Sequence, residues 1–196
     1  MTIIFIIHSE TVNLEHFTIK DLPGSSGRID VLCRCILAAI YRNSEFEENV
    51  QIWVYIDNYG SFIFNSNDLK KNFPKNELLL AKNFIEYILH KNNNEAKENP
   101  LNSIENTEIS IFDAIKKFIK NGFEVVTLHE GGEDFAKYIE KNQRNEDYVF
   151  VIGDQTGDFV NKKELMGLNL TNLSLGKQSY LASSVIRLIK IGLLKL

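Results

Sequence analysis

Cysteine and positive charge are both in short supply in this chain of 196 residues, and each shortage excludes something. The only cysteines are Cys33 and Cys35. Two positions apart on a helix they face different directions, so neither a disulfide nor a chelate is expected, and a reduced, cytoplasmic setting follows. Lys and Arg number 22 against 26 Asp and Glu, a formal charge of -4. That balance argues against a broad nucleic-acid-coating surface, because affinity for phosphates comes mostly from Lys and Arg. Any RNA must then meet a local basic patch, one that two subunits can share. The chain also lacks a long apolar run. Ile3-Ile4-Phe5-Ile6-Ile7 has no basic flank before it and stops at His8-Ser9-Glu10, so it reads as a buried strand rather than a signal peptide or membrane span. Neither G-x-G-x-x-G after a strand nor G-x-x-x-x-G-K-[ST] occurs, which speaks against a dinucleotide site or a P-loop. His8, His16, His90 and His129 lack metal-site spacing and no H-E-x-x-H is present, so no metal is expected. No internal repeat is found.

What is present reads as one domain spanning 1-196, long enough for one substantial core. Asp21-Leu22-Pro23-Gly24-Ser25-Ser26-Gly27 has the chemistry of a shaped loop. From Arg28 to Arg42, Ile29, Leu32, Cys33, Ile36 and Ile40 recur at helical spacing. Val50 to Ile56 and Ser61 to Phe64 read as strands joined by the turn Asp57-Asn58-Tyr59-Gly60. Pro74 precedes a helix over Lys75 to Leu89, and the Asn-rich stretch Asn92 to Asn106 reads as a loop or lid. Beyond it, helix and strand alternate: helix Ile111 to Lys120, strand Phe123 to Leu128, helix Glu133 to Lys141, strand Tyr148 to Ile152, strand Leu170 to Leu175, helix Gln178 to Leu194. Near-continuous apolar strands separated by helices predict a parallel sheet covered on both faces.

Open α/β sheets bind ligands at the carboxyl ends of strands. Three such ends carry glycine: His129-Glu130-Gly131-Gly132, Gly153-Asp154-Gln155-Thr156-Gly157, and Gly176. One glycine after a strand is usually just a turn, but three together predict a pocket where backbone can approach a flat ligand closely. Without a polyphosphate motif, S-adenosylmethionine fits that pocket: it has an adenine for an apolar slot, a sulfonium, and no phosphate.

The run Lys20 to Cys35 (KDLPGSSGRIDVLCRC) resembles the signature of the archaeal tRNA pseudouridine-54 N1-methyltransferases. Further similarity lies at Ser66 to Glu77 (SNDLKKNFPKNE), Leu128-His129 with Gly132-Glu133-Asp134, Val149 to Gly157 (VFVIGDQTG), and Leu173-Ser174-Leu175-Gly176, in family order along nearly the whole chain. The resemblance implies an α/β fold of SPOUT type, a parallel sheet flanked by helices with a C-terminal trefoil knot, working as a homodimer. It implies S-adenosylmethionine as cofactor, held by Leu128, Gly153, Leu173, Ser174, Leu175, Gly176, Gln178 and Val185, and the tRNA T-loop as partner. The chain departs from the family where Lys177 and Leu181-Ala182 stand in place of a Pro and a His-Ala pair.

Methylating a ring nitrogen needs mainly alignment of its lone pair with the sulfonium carbon. Loss of the N1 proton would be helped by a nearby carboxylate, and Asp30 is favoured over Asp154. Arg28 suits a phosphate or a base edge, although by composition alone Asp30 and Arg28 are equally well read as a first-turn carboxylate and a surface arginine. Lys20, Arg28, Lys70, Lys71 and Lys75 are the candidate RNA surface for a base drawn out of its stack. The final helix, apolar on more than one stripe, suits both a knot core and a subunit interface. Competing readings are a SPOUT methyltransferase acting on another RNA such as rRNA, and a noncatalytic RNA-binding homologue.

Overall fold

The computed structural model describes residues 1–90, 98–142, 147–153, 163–168 and 170–194. Strand β1 (Ile3–Ser9) is followed by a short 3-10 turn (Ile19–Asp21), one helical turn α1 (Leu22–Ser25) and helix α2 (Ile29–Ile40). A small hairpin, β2 (Tyr41–Arg42) with β3 (Glu45–Phe46), leads to β4 (Val50–Ile56), β5 (Gly60–Asn65), α3 (Glu77–His90) and β6 (Glu105–Thr107). The second half runs α4 (Ile111–Lys120), β7 (Glu124–Asp134), α5 (Phe135–Lys141), β8 (Tyr148–Ile152), α6 (Lys163–Met166), β9 (Thr171–Ser174) and α7 (Ala182–Leu194).

Seven strands form one sheet in the order β6-β5-β4-β1-β8-β7-β9. The pairs of β1 with β4 and β8, and of β7 with β8 and β9, are parallel, while β5 and β6 add an antiparallel edge. Alternation along β1 explains why it reads as a solid apolar run. Ile3, Phe5 and Ile7 join a large cluster with α2, α3, α5 and α7 on one face, whereas Ile4 and Ile6 join a smaller cluster with α4 on the other. Trp53 closes that second face edge-on against Phe118, with ring centroids 5.1 Å apart.

Most expected elements stand where the sequence pattern put them, and the differences have local causes. Pro74 does not open α3: Asn76 does, its side-chain oxygen accepting from the Leu79 amide at 2.9 Å. The expected loop from Asn92 falls partly outside the described residues, and its described part is built into the core. Leu101 and Ile104 are buried, and Glu105–Thr107 pairs with β5 as an edge strand. Its polar composition hid it, since an edge strand of three residues needs no apolar alternation. The expected turn after Leu128 is instead an excursion within β7: Leu128 and Glu133 both register opposite Leu173. Gly132 is required there, because a Cβ would lie 2.7 Å from the Asn172 carbonyl oxygen. No helix among the described residues is long and apolar enough to cross a membrane.

Lys190 joins the last helix to the second. Its ammonium is buried at 5 % exposure and donates to the carbonyls of Ala38, Ala39 and Tyr41 at 3.0, 2.7 and 2.9 Å. It also pairs with Glu47 at 3.0 Å. The three carbonyls belong to the carboxyl end of α2 and the residue after it, which lack helical partners and carry the negative end of the helix dipole. Burial lowers the lysine's affinity for its proton and Glu47 restores part of it. Removing one partner of a buried pair strands the other, which costs about 3–5 kcal/mol. Lys190→Ala should therefore lower stability in urea by about that amount, while Arg187→Ala, on the exposed side of the same helix, should cost under about 1 kcal/mol. Equal losses would remove the staple.

Candidate active site

A cavity of 380 Å³ opens at the carboxyl ends of β1 and β8. Five pieces of chain wall it: Ile7 to Thr11 running off β1, Arg28 to Cys35 at the start of α2, Leu128 on β7, Ile152 and Gly153 at the end of β8, and Tyr180 to Val185 entering α7. Of the candidate cofactor residues, Leu128, Gly153 and Val185 line this space. Leu173 and Ser174 sit on β9 beside β7, and the Ser174 hydroxyl donates to the Glu130 carbonyl at 3.2 Å while accepting from the Gly176 amide at 3.2 Å. The loops after Leu128 and Ser174 are thereby tied together. Leu175 packs on the core, and Gln178 is exposed outside the cavity lining. Asp154, and the passage of chain on which a trefoil knot depends, lie outside the described residues.

The α2 wall is shaped by backbone. Gly27 and Arg28 are both left-handed, with φ of 59° and 73°. Gly27 cannot be replaced without rebuilding, because a Cβ would stand 1.7 Å from the Thr11 carbonyl oxygen. Arg28 bears a conformation that costs a non-glycine residue of order 1 kcal/mol, and it turns the chain sharply from the Asp21–Gly27 loop into α2. The loop is fastened behind it: the Thr11 hydroxyl donates to the Gly27 carbonyl at 2.8 Å and the Ser26 hydroxyl donates to the Leu22 carbonyl at 2.5 Å.

Asp30 is the buried centre of this wall, 2 % exposed. Arg28 grips it with two bonds, Nε to Oδ1 and Nη2 to Oδ2, both 3.0 Å, and Arg34 donates to Oδ2 at 2.5 Å while reaching Glu77 at 3.2 Å. Burial alone would raise the Asp30 carboxyl, but hydrogen bonds and charge from Arg28 and Arg34 outweigh it and hold it below the ordinary carboxylate range. Arg28 lines the cavity and Asp30 does not. Cys35 also lines it, yet burial pushes its thiol up to about 12, so it stays protonated and is no nucleophile. Cys33 is buried and likewise raised.

Composition and motif reading missed the β1 side. His8 Nε2 lies 2.8 Å from Asp57 Oδ1 and its Nδ1 lies 3.9 Å from Glu10. His8, Glu10 and Asp57 each offer an atom within 4.8 Å of the other two, so the trio is a compact polar cluster at the exit of β1. A carboxylate just past a strand end is an unspecific pattern, and only the parallel pairing of β1 with β8 brings it to the cavity. Lys70 and Lys71 do not come to this site. β5 pairs Asn65 with Gln51 near the start of β4, so the segment after it lies toward the opposite end of the sheet, and Lys75 bonds the Ser44 carbonyl beyond α2. Arg28 lines the cavity, and Lys20 is exposed on the 3-10 turn before α1.

This is an α/β fold with its ligand space at adjoining parallel strand ends, and a solved structure shares it. Nep1 of Archaeoglobus fulgidus, solved with S-adenosylhomocysteine, matches 100% of this chain and 98% of its own at a TM-score of 0.66 and 15% identity, which identifies the fold as SPOUT type. The family model described as "Putative SAM-dependent RNA methyltransferase" matches residues 2–196, and the chain belongs to that family. Two curated relatives, from Thermococcus onnurineus and Pyrococcus abyssi, are named tRNA (pseudouridine(54)-N(1))-methyltransferase. They are 31% and 32% identical over 96% and 98% of this chain and 95% and 97% of their own lengths.

The depressed Asp30 carboxyl has a stability consequence with a definite sign. Its contribution is complete above the unfolded carboxylate value near 4 and is lost as pH falls through its own lower value, where the unfolded state binds more protons. In urea unfolding followed downward from pH 7, the stability gap between the native chain and Asp30→Asn should narrow through this acid window. A gap independent of pH would show that the ion pairs do not supply it.

Proposed function

We propose that this protein transfers the methyl group of S-adenosylmethionine to N1 of pseudouridine at position 54 in the tRNA T-loop. The observation that carries this reading is a cavity in which β7 and the end of β8 meet Arg28, in a chain of a SAM-dependent RNA methyltransferase family. Relatives matched over nearly their whole lengths carry the pseudouridine name. The wall suits the cofactor. Leu128, Ile152, Ala182 and Val185 offer an apolar slot for an adenine, and Gly153 lets backbone approach it. With the loops joined through Ser174, these residues would hold S-adenosylmethionine, which supplies an electrophilic methyl carbon. The trefoil knot belongs to this reading, with the C-terminal segment threading a backbone loop around the cofactor.

The chain's own residues then bind and orient the acceptor. Arg28, held at a fixed angle by Asp30, presents its guanidinium toward a phosphate or base edge of the displaced nucleotide. Asp30, with both oxygens engaged by guanidinium groups, is better suited to positioning Arg28 than to accepting a proton. Asp154 retains its place as a candidate carboxylate. Incubation with labelled S-adenosylmethionine and unmodified tRNA carrying pseudouridine in its T-loop should yield 1-methylpseudouridine on nucleoside analysis. Arg28→Ala should reduce that yield about tenfold or more, corresponding to loss of a charge-assisted contact, with S-adenosylhomocysteine affinity unchanged. Label at another nucleotide would reassign the substrate, and no calorimetric heat with the cofactor would favour a noncatalytic binder.

A reduced, cytoplasmic homodimer completes this reading, and the outward face of α7 suits the second copy. Leu181, at the helix entrance, and Ile191 are 68 % and 46 % exposed, and Leu188 lies between them on the same face at helical spacing. Burying such a stripe is a favourable use for a second copy. Sedimentation should show a dimer for the native chain and a monomer for Ile191→Glu; an unchanged dimer would move the interface elsewhere.

A further inference from the structure

We infer that Glu10 is the proton acceptor for the methylated nitrogen and that His8, braced by Asp57, is its positioning residue; this rests on the N1-methyltransferase reading above. Methylation at N1 requires the N1–H bond to break. The proton goes to the acceptor, the nitrogen pair becomes the new bond to the methyl carbon, and the carbon–sulfur pair leaves with sulfur as the neutral thioether. The acceptor must therefore be a carboxylate or an imidazole in the cavity wall, within one hydrogen bond of the acceptor base.

Among the described residues, the carboxylate that lines the cavity is Glu10. Asp30, the carboxylate singled out by sequence, is buried behind Arg28 with guanidinium groups on both oxygens, an arrangement that favours the ionised form and opposes proton uptake. Glu10 sits at the exit of β1 and is exposed to the cavity side, across from Arg28 on the opposing wall. His8 stands between Glu10 at 3.9 Å and Asp57 at 2.8 Å. Asp57 belongs to the β4–β5 turn, and its amide donates to the Ser9 carbonyl at 3.1 Å, fastening that turn to the end of β1. The charged and titratable groups near Glu10 include His8 on its own strand, Asp57 from the neighbouring turn, Arg28 and Cys35 from α2, and Tyr180 from the approach to α7. The Asp57 carboxylate lies within hydrogen-bond distance of the imidazole and orients it, and the imidazole stands 3.9 Å from Glu10, close enough to act on that carboxylate through charge rather than through a hydrogen bond. His8 itself is largely buried, so the exposed Glu10 carboxylate is the member that a bound base can meet.

The test compares the native chain with Glu10→Gln, His8→Asn, Asp57→Asn and Asp154→Asn on pseudouridine-containing tRNA. S-adenosylhomocysteine affinity by calorimetry, and tRNA affinity in its presence by anisotropy, report folding and binding apart from turnover. Glu10→Gln should lose at least a hundredfold in kcat with KM and both affinities kept, and its rate should climb with pH where the native profile is level. His8→Asn and Asp57→Asn should shift the acid limb of the kcat profile with smaller losses. A Glu10→Gln enzyme with native kcat and pH profile would overturn the inference, and so would loss of the same limb in Asp154→Asn with Glu10→Gln intact. A native chain that methylates no pseudouridine would instead defeat the reading on which the inference rests.

Discussion

The ammonium of Lys190, buried against three carbonyl oxygens and one carboxylate, ties together the two helices that bound the cavity. One wall of the cavity is the first turns of α2, and the facing wall is the first turns of α7. Lys190 meets α2 at its far end, so both helices are fixed away from the cavity. Their near ends are left to the loops that carry Arg28 and Tyr180. A charge inside the protein is expensive unless its hydrogen-bonding capacity is met, and here the acceptors are ones that a helix end leaves unsatisfied. A single contact thus completes the α2 terminus and docks the last helix.

The same economy recurs at the other end of α2. Arg28 is held by Asp30, Asp30 by Arg34, and Arg34 by Glu77 at the start of α3. Alternating charges lock each side chain in one geometry, so the guanidinium facing the cavity does not have to be ordered when substrate arrives. The backbone contributes the matching constraint through two consecutive left-handed residues, the first of which admits no side chain. Residues that the chain packs tightly hold those that it exposes.

Helix and strand periodicity made the fold legible: the parallel strands and the main helices follow directly from apolar spacing in β1, β4, β8, α2 and α4. The strand order β8-β7-β9 sets the three glycine-bearing strand ends side by side, and of their described glycines Gly153 lines the cavity. The site was only half legible. Arg28, Leu128, Gly153 and Val185 meet in one cavity, but a motif cannot show that Asp30 turns inward, since a first-turn carboxylate looks the same whether it faces solvent or a guanidinium pair. Lys70 and Lys71 look in sequence like part of an RNA surface, and the antiparallel return of β5 carries them to the far end of the sheet. The polar edge strand β6 escaped notice because its hydrogen bonds, rather than its side chains, place it.

The excursion in β7 leaves the ladder opposite Leu173 and rejoins it opposite the same residue. Sheet register is therefore independent of how many residues lie between Leu128 and Glu133. The rim of the pocket can lengthen, shorten or change composition over evolutionary time while every strand keeps its neighbour. The architecture in this way separates the inheritance of a scaffold from the diversification of what it holds.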